Sequence, residues 1–267
     1  MEAQIGKSSP VRLSAAVLSD TGLVRAENQD CVLSLPEPGL FAVADGMGGG
    51  EGGALAARWV CESLEGAARA MAADTSVHGL LEALRIAIGD ANARIADFSR
   101  ARGYRAMGST VALVAAEGPG RDRALVCWVG DSRVYRFRDG SAECLTRDHT
   151  VGRELGDASP MAEALSRRSH PLAHVLTRAV GTEADLDIEG RRVDLRPGDR
   201  FLVCSDGIHD VMEDEDLRAM FACSARAGAP APDGAGDLAR LAAEVRRRGA
   251  PDNFSAVLVD ATGKEPA

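Results

Sequence analysis

Nowhere in the 267 residues do 18 or more apolar residues run together, which argues against a membrane-spanning helix. The first ten residues lack the apolar run of an export signal, so an unexported, cytoplasmic chain is expected. CxxC pairs are also missing, and Cys31, Cys61, Cys127, Cys144, Cys204 and Cys223 are scattered. That pattern favours buried free thiols over disulfides or a zinc site, and Cys127 and Cys204 lie inside apolar runs. Positive charge is not in excess. With 31 Lys and Arg against 40 Asp and Glu, the net charge of −9 argues against duplex nucleic acid or an anionic membrane as partner. No internal repeat is visible. The glycine cluster from Gly46 to Gly50 is followed by neither Lys-Ser nor Lys-Thr, which removes a P-loop, and it lacks the spacing of a dinucleotide fingerprint.

What the chain does have is enough apolar material, 45% of its residues, to bury the core of one large domain. Apolar runs of strand length recur at Leu13–Leu18, Leu40–Ala44, Thr110–Ala115, Ala124–Val129, Val134–Phe137, Phe201–Cys204 and Phe254–Val259. Ala54–Ala73 and Val77–Arg100 carry apolar residues at three- and four-residue spacing and read as amphipathic helices. A third helix is expected over Asp237–Arg248, its terminal arginines suiting the electronegative helix end. Strands come in runs instead of alternating with helices one for one, which favours antiparallel sheets with helices on their outer faces. Thr146–Gly181 reads as a surface excursion with short helices, and Ala225–Gly236 as a plain connection.

Three apolar runs end on a carboxylate followed by a small residue: Ala44-Asp45-Gly46, Val129-Gly130-Asp131-Ser132 and Cys204-Ser205-Asp206-Gly207. A carboxylate at the end of a buried strand is costly unless something cationic meets it. Asp-Gly on its own also closes hairpin turns. Three such places, with Asp252-Asn253 before the final run, shift the reading toward a metal cluster. Oxygen donors without histidine or cysteine select hard cations such as Mg²⁺ or Mn²⁺. The glycines after Asp45 let the backbone approach a ligand, so a carbonyl is available to the same cluster.

Several segments, in order, resemble a bacterial member of the PPM (PP2C-type) family of metal-dependent protein phosphatases. They are Val24-Arg25-Ala26-Glu27-Asn28-Gln29-Asp30, Ala44-Asp45-Gly46-Met47-Gly48-Gly49, Gly108-Ser109-Thr110 and Val129-Gly130-Asp131-Ser132-Arg133-Val134-Tyr135. Leu176-Thr177-Arg178-Ala179-Val180-Gly181, Cys204-Ser205-Asp206-Gly207 and Asp252-Asn253-Phe254-Ser255 complete the set. The resemblance covers about Leu18 to Val259. It implies an α+β, four-layer α-β-β-α sandwich with two antiparallel sheets. The phosphatase domain is expected over 11–261, with a flap inside 146–181, a flexible tail at 1–10 and another at 262–267.

The same resemblance implies hydrolysis of phosphoserine and phosphothreonine by a hydroxide bridging two Mn²⁺ or Mg²⁺ ions, with a third ion held more weakly. Asp45 would bridge the two ions, the Gly46 carbonyl would join one shell, and Asp206 and Asp252 would complete the other. Asp131 with Asp206 matches the third-metal positions. Asp30 matches a carboxylate that hydrogen-bonds coordinated water, and Gln29 and Asn253 belong to the same outer ring. Arg25 matches the phosphate clamp, although outside the motif a surface ion pair with Glu27 or Asp30 would be the simpler reading. Met47 departs from the histidine that many eukaryotic relatives carry as the proposed general acid, and Gln29 replaces a frequent Glu. His149 and His170 are expected to be solvated flap residues, His209 to lie near the metals without a catalytic role, and His78 and His174 carry no signal. Phosphorylated proteins, including a Ser/Thr kinase and its substrates, are the implied partners, and a monomer is expected. The rival readings are a phosphopeptide-binding or scaffold module on the same fold, a hydrolase of small phosphate esters or diesters, and a regulatory phosphatase for a phosphoserine anti-anti-sigma factor.

Overall fold

The apolar run from Leu40 shows how the layers arise. Its residues alternate strictly, with Phe41 and Val43 packed on one side and Ala42 and Ala44 on the other, all fully buried. A strand buried on both faces is a strand sandwiched between layers. The computed structural model describes residues 11–48, 51–71, 79–104, 106–118, 120–156, 172–222 and 233–263.

The strands are β1 (Val11–Asp20), β2 (Asp30–Leu35), β3 (Leu40–Met47), β4 (Gly108–Ser109), β5 (Val111–Glu117), β6 (Arg123–Val129), β7 (Arg133–Arg138), β8 (Ser141–Cys144), β9 (Glu189–Asp194), β10 (Arg200–Cys204) and β11 (Phe254–Gly263). The helices are α1 (Glu51–Met71), α2 (Leu80–Arg102), α3 (Val151–Gly156), α4 (Asp206–His209), α5 (Asp214–Phe221) and α6 (Gly234–Arg247). One sheet runs β1-β11-β10-β7-β8 and the other β2-β3-β5-β6-β9, with β4 added at the end of β3. Every pairing is antiparallel.

Phe41, Val43, Val126, Trp128, Val203 and Val257 fill the space between the sheets. Ala56, Val60 and Leu64 of α1, with Leu84, Ile88 and Ile95 of α2, cover the outer face of the second sheet. Leu217 and Phe221 of α5, with Leu238, Leu241 and Val245 of α6, cover the first. The result is the expected four-layer sandwich. Each fully buried Phe or Leu contributes roughly 1.5–3 kcal/mol to holding these layers together.

The strands missing from the expectation are mostly edges. β2, β8 and β9 each end a sheet, and an edge strand needs no continuous apolar run; Glu189–Asp194 buries only Val193. Helix α5 was not anticipated either, because eight residues with three leading acids show little periodicity. Helix α6 starts at Gly234, earlier than expected, because the Asp233 side chain caps the Gly236 N–H at 3.0 Å. Its terminal arginines form intrachain ion pairs: Arg248 meets Asp216 at 2.6 Å and Glu244 at 2.8 Å, and Arg246 meets Asp20. β11 runs to Gly263, so Thr262 and Gly263 pair with Arg12 and Val11 instead of forming a tail. The expected tail at 1–10, most of 225–236 and the flap residues 157–171, His170 among them, lie outside the described residues.

Candidate metal centre

The carboxylates meet at one edge of the sandwich because the strands that carry them end there together. Asp30 opens β2 and sits directly opposite Asp45 near the end of β3. Like charges in that register repel, so the pair needs compensation. Asp206 begins α4 directly after β10, Asp252 precedes β11, and Asp131 lies in the turn between β6 and β7. A cavity of about 530 Å³ is lined by Arg25, Gln29, Asp45, Gly46, Met47, Asp131, His174, Asp206, Asp252 and Asn253, among others. Of the nine residues singled out in the sequence, eight line this cavity, and the ninth, Asp30, stands behind Asp45.

Backbone and hydroxyl groups fix the set. The Asp45 N–H donates to Thr110 Oγ1 at 3.0 Å, while its carbonyl accepts from Ser109 Oγ at 3.0 Å and the Thr110 N–H at 2.8 Å. Ser205 Oγ donates to Asp30 Oδ2 at 2.8 Å. Asn253 clips the loop that carries Arg25: its Oδ1 accepts from the Gln29 N–H at 2.9 Å, and its Nδ2 donates to the carbonyls of Thr21 and Glu27 at 2.9 and 2.8 Å. Gly53, in the first turn of α1, makes room for two oxygens. A Cβ there would lie 2.7 Å from both the Gly46 carbonyl oxygen and Gln29 Oε1.

The electrostatics ask for a cation. Burial, followed by the other carboxylates, raises Asp45 and Asp131 well above the usual carboxylate range. Burial, Asp210 and Asp252 push Asp206 to about 7, and burial pushes Asp30 to about 6 against hydrogen bonds from Ser255 and Ser205. Asp30 Oδ1 and Asp206 Oδ1 are buried without a hydrogen-bond partner. Orphaned anionic oxygens of this kind are expensive. All the donors are oxygen, and Mg²⁺ or Mn²⁺ matches such a set. Among the described residues no three His, Cys, Asp or Glu side chains close to the spacing of a finished centre. On the Asp252 side, positive charge comes from Arg25, whose Nη2 is 2.6 Å from Oδ2. That pairing, 227 positions apart in sequence, replaces the expected alternative with Glu27 or Asp30.

The histidines divide. His149 is buried, 2% exposed, and not the solvated loop residue expected. Its Nδ1 accepts from the Gly130 N–H at 3.1 Å, so the neutral ring carries its proton on Nε2, which faces Glu189 Oε1 at 3.1 Å. Burial and Arg178 hold its pKa below the ordinary value. His209 Nε2 lies 3.0 Å from the Asp131 carbonyl. His174 and Gly53 are the site features that sequence reasoning missed. Gly53 had a faint signal, the continued glycine run after Asp45; His174 had none. A larger groove, about 740 Å³ between α2 and residues 183–188, holds none of the predicted residues. Two of its acids, Asp97 and Asp187, are paired with Arg100 and Arg178.

Comparison with known proteins agrees with this arrangement. The family model for protein phosphatase 2C matches residues 25–242. The serine/threonine protein phosphatase PstP of Mycobacterium tuberculosis is 34% identical over 251 residues, covering 93% of this chain and 45% of PstP. The chain therefore spans about half the length of that relative. Among solved structures, PppA of Pseudomonas aeruginosa, described as a key regulatory component of T6SS, superposes with a TM-score of 0.82 at 35% identity, covering 95% of this chain and all of that one. The PstP catalytic domain in complex with two manganese ions gives a TM-score of 0.79 at 31% identity, covering 94% and 99%. A family match that starts on Arg25 and spans Asp45, Asp131 and Asp206, on the same sandwich, leaves one conclusion: the chain belongs to the protein phosphatase 2C family.

Proposed function

We propose that the chain is a protein serine/threonine phosphatase that works with two Mn²⁺ or Mg²⁺ ions and takes phosphorylated proteins as substrates. The observation that carries this reading is the convergence of Asp45, Asp131, Asp206 and Asp252 on one open cavity, with an arginine at its mouth. Asp45, the Gly46 carbonyl, Asp206 and Asp252 would hold the two ions, and Asp131 with Asp206 a weaker third. When bound, the ions supply Lewis acidity toward phosphoryl oxygens and activation of water. Arg25 binds the phosphate. Its guanidinium is 57% exposed and its partner Asp252 33% exposed, and an ion pair that open to solvent is worth no more than about 1 kcal/mol, so exchanging Asp252 for a phosphate dianion is easy. Asp30, locked by Ser205, orients its neighbours, and Asn253 keeps the Arg25 loop in place.

A serine/threonine kinase and that kinase's substrates are the partners this activity implies, in a cytoplasmic monomer. The likeness to PppA makes secretion-system phosphoproteins one class worth assaying. No helix among the described residues is long and apolar enough to cross a membrane. The test is phosphate release from a phosphothreonine peptide with Mn²⁺, with EDTA, and with Asp206→Asn. Turnover that needs Mn²⁺ and collapses in the variant supports the reading. Folded protein that binds the phosphopeptide without turning it over would replace the enzyme with a binding module.

A further inference from the structure

Cleaving a phosphoserine or phosphothreonine ester expels an alkoxide, a poor leaving group that needs a proton as its bond to phosphorus breaks. Few residues lining the cavity can give one. Met47, beside Asp45 and Gly46, is a thioether with no proton to transfer. Arg25 keeps its proton at any pH of interest. Gln29, Asn253 and Thr110 are not acids, the cavity's aspartates are committed to the cations in the reading above, and Glu27 lies exposed on the loop beside Arg25. Imidazole is the side chain type that gives up and recovers a proton near neutral pH, and His174 is the one histidine among the described residues of the lining.

His174 is also held in place. The residues that follow it are anchored to the start of the flap: the Val151 N–H donates to the Val175 carbonyl at 2.9 Å, and the Thr177 N–H to the His149 carbonyl at 2.9 Å. Leu176 forms a β-bridge with Thr150. The ring faces Asp210, whose Oδ2 is 3.4 Å from Nδ1. Asp210 follows α4, and its N–H donates to the Asp206 carbonyl at 2.8 Å. A carboxylate on one ring nitrogen orients an imidazole, while the other nitrogen handles the reacting proton. Asp210 thereby ties the flap histidine to the helix that presents Asp206.

We propose that His174, oriented by Asp210, is the general acid of the reaction, donating the Nε2 proton to the serine or threonine oxygen. This rests on the phosphatase reading above. A water oxygen forms the new bond to phosphorus and its proton passes to solvent. The ester P–O bond breaks, its electron pair stays on the side-chain oxygen, and that oxygen takes the proton from His174. The neutral imidazole recovers a proton from solvent.

The test separates a proton donor from a residue that only shapes the flap. With Mn²⁺ present, kcat is measured for wild type and His174→Gln on a phosphothreonine peptide and on p-nitrophenyl phosphate, whose leaving group departs as a stable anion. Loss of a general acid lowers peptide turnover by about 100-fold or more, with aryl phosphate turnover within about 3-fold of wild type by the same reasoning. In His174→Gly, added imidazole restores part of the peptide turnover and leaves the aryl rate unchanged. An equal fall on both substrates, or no fall on the peptide, overturns the assignment while leaving the phosphatase reading intact. Wild-type protein inactive on both substrates overturns the phosphatase reading and this assignment with it.

Discussion

β10 and β11 carry a cluster of acids at each end, and the two clusters answer the same electrostatic problem in opposite ways. At one end Arg200, 1% exposed, lies between Asp237 at 2.6 Å and Asp260 at 2.5 Å. At the other, about 20 Å away along the extended chain, Asp206 and Asp252 join Asp45, Asp131 and Asp30. The first cluster contains its own cation and so is finished by folding alone. In the second, the guanidinium among the described residues is at the rim, and Asp30 Oδ1 and Asp206 Oδ1 are buried without a hydrogen-bond partner, whereas Asp237 Oδ2 in the first, also without a hydrogen bond, has Arg200 Nη1 at 2.6 Å. A buried acid with a resident arginine is architecture, and buried acids gathered without one have the donor set of a cation site.

That contrast breaks most visibly at Arg200. Arg200→Met leaves Asp237 and Asp260 buried around an apolar side chain, at a cost of about 3–5 kcal/mol. Urea unfolding should show this loss with and without Mn²⁺ alike; a penalty that Mn²⁺ erases would mean the two ends are not different in kind. Next in size is Asp206→Asn, expected to cut phosphopeptide turnover at least about 100-fold, since losing a proposed ligand costs no less than the upper range for losing a group that merely orients one. Unlike Arg200→Met it should leave stability in EDTA intact or improved, because it removes one member of a mutually repelling set. A variant both inactive and unfolded would spoil the comparison.

The pH dependence sharpens it further. Asp30 at about 6 and Asp206 at about 7 are raised by burial above the ordinary value of 3.8. A carboxyl raised on folding binds its proton more tightly in the native state, so its contribution is full below about pH 4 and is lost as pH climbs through 6 and 7. The melting temperature in EDTA should therefore fall by about 5 °C or more between pH 5 and pH 8, and Mn²⁺ should flatten the slope. A flat profile in EDTA would refute the account of these carboxyls. The smallest effect is expected at His149, where the sign reverses. Its depressed pKa means that the unfolded chain takes up the proton first, so its contribution is present above about 6.5 and is lost as pH falls. His149→Gln should remove that acid-side slope at a cost of about 1–2 kcal/mol, measurable as a shift in unfolding midpoint at pH 7.5.

Legibility followed burial and chemistry. Asp45, Asp131 and Asp206 stood out because a hydrophobic run ending on a carboxylate is improbable without a reason. Phe41, Val126 and Val257 were readable as core because strands in the middle of a sheet must be apolar on both faces. β2, β8 and β9 escaped notice because each lies at a sheet edge and needs no continuous apolar run. His174 and His149 were opaque for a different reason. Both lie in the same weakly periodic excursion, and only the folded chain shows that one packs beneath Trp128 while the other reaches the cavity. Asn253 was marked by its motif, yet its grip on Thr21 and Glu27 spans more than 220 positions and has no local trace.

The placement of β11 has a consequence for how the protein is made. This strand, late in the sequence, inserts between β1, the earliest, and β10. Until it emerges from the ribosome, β1 has no neighbour in its sheet, and Asp252 and Asn253 are not yet available to meet Arg25 and its loop. Pairings of such sequence separation close slowly, because the whole intervening chain must first be gathered in. A nascent chain can thus bury most of its helices and still have no working centre. On the phosphatase reading, turnover becomes possible only once this strand has docked, because the strand that joins β1 to β10 also brings Asp252 to the other carboxylates.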